Sequence, residues 1–187
     1  MKTNPRTILA LVLLILGATP LAATVVNGQV TASGGGGIVN VDLDFIDRDT
    51  GQSIPLVNDD TDILGFFAVS VPTGDYDVRF KPPTGTNYVA EEIRGVRVEG
   101  ASMNMNQALD TGWFVTGRVV DESSIPIHPL DLDVIDLADG NARYVDNDGT
   151  DTLGNFSIVL PAGQFDIEFE PPVGTLHVPL KISDVVV

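Results

Sequence analysis

Residues 25–98 align with residues 114–187 at a constant offset of 89, without a gap, and 29 of the 74 positions are identical. This internal repeat restricts the fold more than any other feature of the chain. A unit of about 75–85 residues is too long for a solenoid repeat, so each copy is expected to own a hydrophobic core. Gly28 matches Gly117, Asp42-Leu43-Asp44 matches Asp131-Leu132-Asp133, Ile46-Asp47 matches Ile135-Asp136, and Pro82-Pro83 matches Pro171-Pro172. The expected organisation is a leader over 1–23, a first copy over 24–98, a linker or extra strand over 99–113, and a second copy over 114–187.

The best-preserved stretch is Thr61–Phe80, echoed by Thr150–Phe169. Asp62 and Gly65 occupy the first and last positions of a four-residue turn. Asp can bond its own backbone there, and Gly tolerates a left-handed exit. Phe67, Val69 and Val71 then alternate with Phe66, Ala68 and Ser70, the period of a half-buried strand. Val71-Pro72-Thr73-Gly74 predicts a hairpin turn into a second alternating strand with Tyr76, Val78 and Phe80 inward. Pro82-Pro83 ends it.

The same period reads through the rest of the first copy. Val25–Val30 is a strand, Gly34–Gly37 a flexible loop, and Asp47–Gly51 a turn. Val39, Val41, Leu43 and Phe45 are expected inward, with Asn40, Asp42 and Asp44 outward. Ser53–Val57, with Pro55 inside it, is expected to be a weak edge strand, and Tyr88–Val98 to supply one or two more. No segment carries a sustained 3.6-residue apolar pattern. Seven or so short strands per copy predict an all-β fold: two tandem antiparallel β-sandwiches.

Lys2 and Arg6 precede an apolar run from Ile8 to Ala18, and Leu21-Ala22-Ala23 offers small residues for cleavage, the pattern of a secretory signal peptide. Eleven apolar residues are too few for a span of roughly 20, and no later stretch of the mature chain could cross a membrane. The expected location is secreted or periplasmic. Beyond residue 23 the chain has 26 acidic and 8 basic residues, a formal charge of −18. Such a charge disfavours nucleic acid and anionic membrane surfaces, and favours cations or basic partners. There is no cysteine, so the cores alone must hold the domains although export permits disulfides.

Gly-x-Val near the start of each copy, an alternating strand ending in Asp, Thr-Asp-x-x-Gly-x-Phe, and Pro-x-Gly-x-aromatic-Asp-Val/Ile-x-Phe resemble the carboxypeptidase regulatory-like domain. That family belongs to a wider transthyretin-like (prealbumin-like, Greek-key), carbohydrate-binding-like set of β-sandwiches. The resemblance covers both copies. It implies an accessory module that sits beside peptidases, in surface proteins or in tandem arrays, some relatives binding sugars; it carries over no catalytic residue. The B-type repeats of adhesins, a related group, crosslink a first-strand Lys to Asn. Lys81 and Lys181 lie on no first strand, so that bond is not expected.

The inventory argues against an enzyme. His128 and His177 are the only histidines, and their aligned partners are Val39 and Tyr88. No nucleophile motif, paired-histidine metal motif or phosphate loop is present. The sharper candidate is an acidic stripe in which Asp42, Asp44 and Asp47 recur as Asp131, Asp133 and Asp136, extended by Asp77 and Asp166 if the neighbouring strand pairs with it. Asp is disfavoured in strands, and several carboxylates on one face could ligate calcium. No other cofactor is implied. The alternative reading, favoured by the sequence, is a solvated face that discourages edge pairing, with turn Asp residues bonding their own backbone. Asn58–Asp62 and Asp146–Asp151 offer further loop oxygens, but the Gly and Glu of a calcium loop are missing. Of the aromatics, Phe67, Tyr76, Phe80, Phe156, Phe165 and Phe169 are expected inward; Phe66, Tyr88, Trp113 and Tyr144 are possible outward ones, without a duplicated platform, and core or linker packing is the favoured reading of each. The function expected is a non-enzymatic interaction or spacer module for a protein or polysaccharide at the cell surface. The alternatives are a calcium-binding structural module or an accessory subunit of an exported enzyme.

Overall fold

The computed structural model describes residues 23–187; the expected signal peptide lies outside the described residues except for Ala23. No helix occurs among them, so none is long and apolar enough to cross a membrane. The strands of the N-terminal half are β1 (Ala23–Ala32), β2 (Asp42–Asp47), β3 (Phe66–Pro72), β4 (Gly74–Lys81), β5 (Glu91–Val98), β6 (Ser102–Asn104) and β7 (Gln107–Leu109). Those of the C-terminal half are β8 (Trp113–Arg118), β9 (Asp131–Asp136), β10 (Ala142–Arg143), β11 (Asn155–Leu160), β12 (Gln164–Glu170) and β13 (Leu180–Val186).

In the N-terminal half one sheet runs β3-β1-β6, with β7 also on β1, and the other runs β2-β4-β5. Their inner faces meet in one core containing Val26, Val30, Leu43, Phe45, Phe67, Val69, Val71, Tyr76, Val78 and Phe80. Period-2 alternation supplies these residues from both sheets, which is the geometry of a sandwich. In the C-terminal half β11 pairs with β8, facing a sheet of order β10-β9-β12-β13, around a smaller core that includes Leu132, Val134, Ile158, Leu160, Phe165, Ile167 and Phe169.

The expected hairpin over Thr61–Phe80 is a corner instead. β3 pairs with β1, while β4 pairs with β2 and β5. Alternation alone cannot separate the two cases, because either leaves the same residues inward. What shapes the corner is the Tyr76 ring. Its hydroxyl donates to Pro72 C=O at 3.0 Å, and a Cβ on Gly74 would stand 3.1 Å from the ring. Phe165 fills the matching place against Gly163.

The turn ahead of this corner follows the sequence reading in both halves. Asp62 Oδ1 accepts Leu64 N–H (2.8 Å) and Phe66 N–H (2.9 Å), and Gly65 has φ +80°. Asp151 Oδ1 accepts Leu153 and Asn155 N–H, both at 2.8 Å, and Gly154 has φ +78°. The preceding Thr is a buried staple. Thr61 Oγ1 donates to Ile38 C=O (2.6 Å) and accepts Val41 N–H (2.9 Å); Thr150 does the same with Ile127 and Leu130.

Three further expectations are corrected, on Val39, on Ser53–Val57 and on strand direction. Val39 is exposed, because Asn40 at φ +57° breaks the alternation before β2 begins at Asp42. Ser53–Val57 forms no strand beyond the single bridge Ile46↔Ser53, since Pro55 has no N–H to extend a ladder. Tyr88 packs against the core, in line with the favoured reading of it, as Val89 N–H bonds Asp110 C=O and Gly112 N–H bonds Asn87 C=O, both at 2.8 Å. The pairing is not wholly antiparallel either: β6 and β7 lie parallel to β1. After β5 the chain crosses to the other sheet and travels along β1 in the same direction. Residues 102–109 thus add to the first sandwich, and Met105 and Leu109 enter its core.

Candidate functional site

The expected acidic stripe has different surroundings in the two halves. β2 does pair with β4, placing Asp42 opposite Lys81, Asp44 opposite Arg79 and Ile46 opposite Asp77. Lys81 Nζ donates to Asp42 (2.6 Å) and Asp44 (3.2 Å), and Ser53 Oγ donates to Asp44 (3.0 Å). Burial pulls the Lys81 ammonium down, but these bonds and charges outweigh it and hold its pKa well above the usual lysine range. Asp47 works in its own turn: its Oδ1 accepts Asp49 N–H, Thr50 N–H and Thr50 Oγ–H, and the Thr50 bonds keep its carboxyl below the usual range. Asp77 Oδ1 accepts Gly95 N–H (2.8 Å) at the β4–β5 irregularity and pairs with Arg48 (3.3 Å).

In the C-terminal half Arg79 and Lys81 are replaced by Glu168 and Glu170. β9 and β12 therefore set Asp131 opposite Glu170 and Asp133 opposite Glu168. Glu168 has Lys181 at 3.0 Å, but Asp131 and Asp133 have no ion-pair partner among the described residues. Like charges facing across a ladder are destabilising. The effect reaches Asp148, whose carboxyl is pushed up by burial and then by the charges of Asp131, Asp146 and Asp133. Asp136 accepts Ala138 N–H (2.9 Å) in its turn, and Asp166 accepts Asp184 N–H (3.1 Å) at the β12–β13 irregularity. No three acidic or His side chains among the described residues converge as a metal site would require.

One cluster joins the halves and leaves no mark in the repeat. The Arg79 guanidinium lies 4.6 Å from the centroid of the Tyr144 ring, and Arg143 Nη2 donates to Glu91 at 3.2 Å. Burial, then the Asp146 charge, raises the Tyr144 hydroxyl. The aligned partners of Arg143 and Tyr144 are Ile54 and Pro55, so neither could have been found from duplicated residues. Of the other possible outward aromatics, Phe66 and Trp113 are exposed, against the core or linker packing favoured for them. His128 and His177 are both exposed and lie in no shared cluster.

A groove of about 630 Å³ opens on the C-terminal half between Val119, Ile127, Leu130, Phe169, Leu176 and Val178. In the N-terminal half the same region is filled. Leu109 and Val89 are fully buried there, whereas Val178, the counterpart of Val89, is 81% exposed.

No protein-family model matches the chain, and no curated protein matches it. Among solved structures, a streptococcal ancillary pilin is 16% identical, with 88% of this chain and 59% of that chain covered and a TM-score of 0.39. A candidate carbohydrate binding protein from Bacteroides uniformis is 13% identical, with 88% and 98% covered and a TM-score of 0.37. The major pilin subunit of Bacillus cereus is 12% identical, with 88% and 68% covered, also at 0.37. These are distant similarities of chain path. The chain spans well under two thirds of the streptococcal pilin and 32% of a Bacillus anthracis protein that it also resembles.

Proposed function

We propose that the chain is a secreted, non-enzymatic tandem β-sandwich of the transthyretin-like kind, built from one domain used twice. It acts as an interaction or spacer module outside the cell or in the periplasm, with a protein or polysaccharide as ligand. One observation carries this reading. The residues shared by the halves are the turn Asp, the staple Thr, the corner Gly and the inward apolars, while outward positions change sign, as from Arg79 to Glu168 and from Lys81 to Glu170. A duplicated scaffold with divergent faces suits a module that presents surfaces rather than one that repeats a reaction. The test is to display residues 24–187 on a polysaccharide array and against envelope proteins by crosslinking. Saturable retention of one ligand class supports the reading. Turnover of a substrate would overturn it.

A second reading, calcium held through Asp131 and Asp133, is favoured by their facing Glu170 and Glu168 with no ion-pair partner among the described residues. Asp42, Asp44 and Asp47 belong to the same proposal with less room, being bonded to Lys81, Ser53 and Thr50. Calcium at about 10 mM, above the range of weak extracellular sites, then raises the melting temperature beyond a magnesium control, and Asp133→Asn removes the rise. No rise above magnesium would end this reading.

A further inference from the structure

The two sheets of the N-terminal sandwich turn opposite chemistry to solvent. Eleven of the 22 residues in β2, β4 and β5 are charged. β1, β3, β6 and β7 contain no charged residue, in a chain with a formal charge of −18 beyond residue 23. Solvated faces ordinarily intersperse charges of both signs, so a whole sheet face without one is a departure. The register arranges what stands there instead. Val25 lies between Ser70 and Ser102, Asn27 between Ala68 and Asn104, and Gln29 beside Phe66. All are exposed except the half-buried Gln29. With strands about 4.8 Å apart and same-face residues about 6.8 Å apart along each, the field measures about 10 by 14 Å.

Gln29 shows that the fold does not impose this neutrality. Its Nε2 donates to Leu64 C=O (2.8 Å). At the matching position of the C-terminal half, Arg118 Nε donates to Leu153 C=O (2.9 Å). The tie to the turn is the same, and the N-terminal half makes it without a charge. Asn106 Oδ1 accepts Gln29 N–H (3.0 Å), which fixes a further amide at the border of the field.

We propose that the outer face of β3-β1-β6 binds a neutral polysaccharide. Each amide and each Ser hydroxyl both donates and accepts hydrogen bonds, and sugar hydroxyls have the same dual character. A neutral polymer needs no counter-charge on this face, whereas an anionic one is repelled by the rest of the chain. Phe66 offers an exposed ring to the apolar face of a sugar. The core of a protein–protein interface is enriched in apolar and aromatic side chains. Here amides and hydroxyls hold the middle, and the large apolar residues Val25 and Phe66 stand at the two ends. The field is longer than one sugar ring, so it suits a chain of them. The inference rests on the module reading and names its ligand class and its face.

The test is frontal chromatography of the chain 24–187 on immobilised β-glucan, α-mannan and galactan, with polygalacturonate as the charged arm. At least one neutral polymer should retain the chain, and about 1 M salt, where the Debye length is about 3 Å, should leave that retention in place. Asn27→Ala, Asn104→Ala and Phe66→Ala, all at exposed positions, should each weaken it about fivefold, the size of one net hydrogen bond. Thr116→Ala and Ser157→Ala, at the positions of the C-terminal half that match Asn27 and Ala68, should leave it unchanged. Retention by no neutral polymer, retention that salt abolishes, retention by polygalacturonate alone, or equal losses at Thr116 and Ser157 would each overturn the proposal. So would a dimer or a protein complex that covers this face and that Asn27→Ala weakens. A chain that retains a protein, or a glycan through another face, sinks this inference and leaves the module reading intact; turnover of a substrate would sink both.

Discussion

In the N-terminal half β1 is covered on both edges, by β3 and by β6 with β7; in the C-terminal half β8 is covered by β11 only. The halves share their turn chemistry and inner faces, and differ in the strands beside β1 and β8. In the N-terminal half Leu109 and Val89 are fully buried and Tyr88 packs on the core; Val178, the counterpart of Val89, stands in solvent. The outer faces differ as well. Lys81 offsets two Asp in one half, and Glu170 adds to two in the other. The turns and the inward alternation are thus common to both halves, although the strands beside β1 and β8 and the charge of the outer faces differ.

The largest effect expected from breaking this comparison is Leu109→Ala. Truncating a fully buried Leu costs about 2–5 kcal/mol, and hydrogen exchange should locate the loss in the N-terminal half alone. Next is Gly28→Ala. Its Cβ would stand 1.7 Å from the Met105 carbonyl oxygen, so the backbone of the covering segment must move, at about 1–3 kcal/mol or more. Gly117→Ala should cost less, because its nearest neighbour is the Phe156 ring at 2.5 Å, a side chain that can turn. Equal losses at the two glycines would show that the segment 102–109 is not what Gly28 accommodates.

Smaller effects test the faces. Glu170→Lys recreates opposite Asp131 the pairing that Lys81 makes with Asp42, and should stabilise the C-terminal half by about 0.2–1 kcal/mol, read from chemical denaturation at low salt. The smallest change is expected for Asp148→Asn. The Asp148 carboxyl is raised in the fold by burial and neighbouring Asp charges, so the folded state binds its proton more tightly than the unfolded chain does. The cost of its charge is present at neutral pH and is relieved as pH falls through the raised value. The substitution should therefore stabilise at pH 7 by a few tenths of a kcal/mol, with the gain fading on acidification. A gain that persists in acid would assign it to something other than ionisation.

Much of this architecture is legible in the residues themselves. Turn Asp and Gly at fixed spacing and apolars at every second position are local signals. They specify short strands with one inward face, and their return after 89 residues specifies that the pattern is used twice. Even the roles of Asp47 and Asp136 as turn acceptors follow from side chains bonding their own nearby backbone. Which strands become neighbours does not follow. β3 and β4 carry the same inward residues whether they form a hairpin or a corner, and the Tyr76 ring under Pro72 belongs to the corner. The fate of the candidate site was equally hidden. Asp42 and Asp131 are the same residue at the same step of the same strand. Only the strand opposite, with Lys81 in one case and Glu170 in the other, makes the first an ion pair and the second part of an unrelieved acidic face. Pairing across a ladder brings together residues 39 apart in the chain, and no local pattern carries that information.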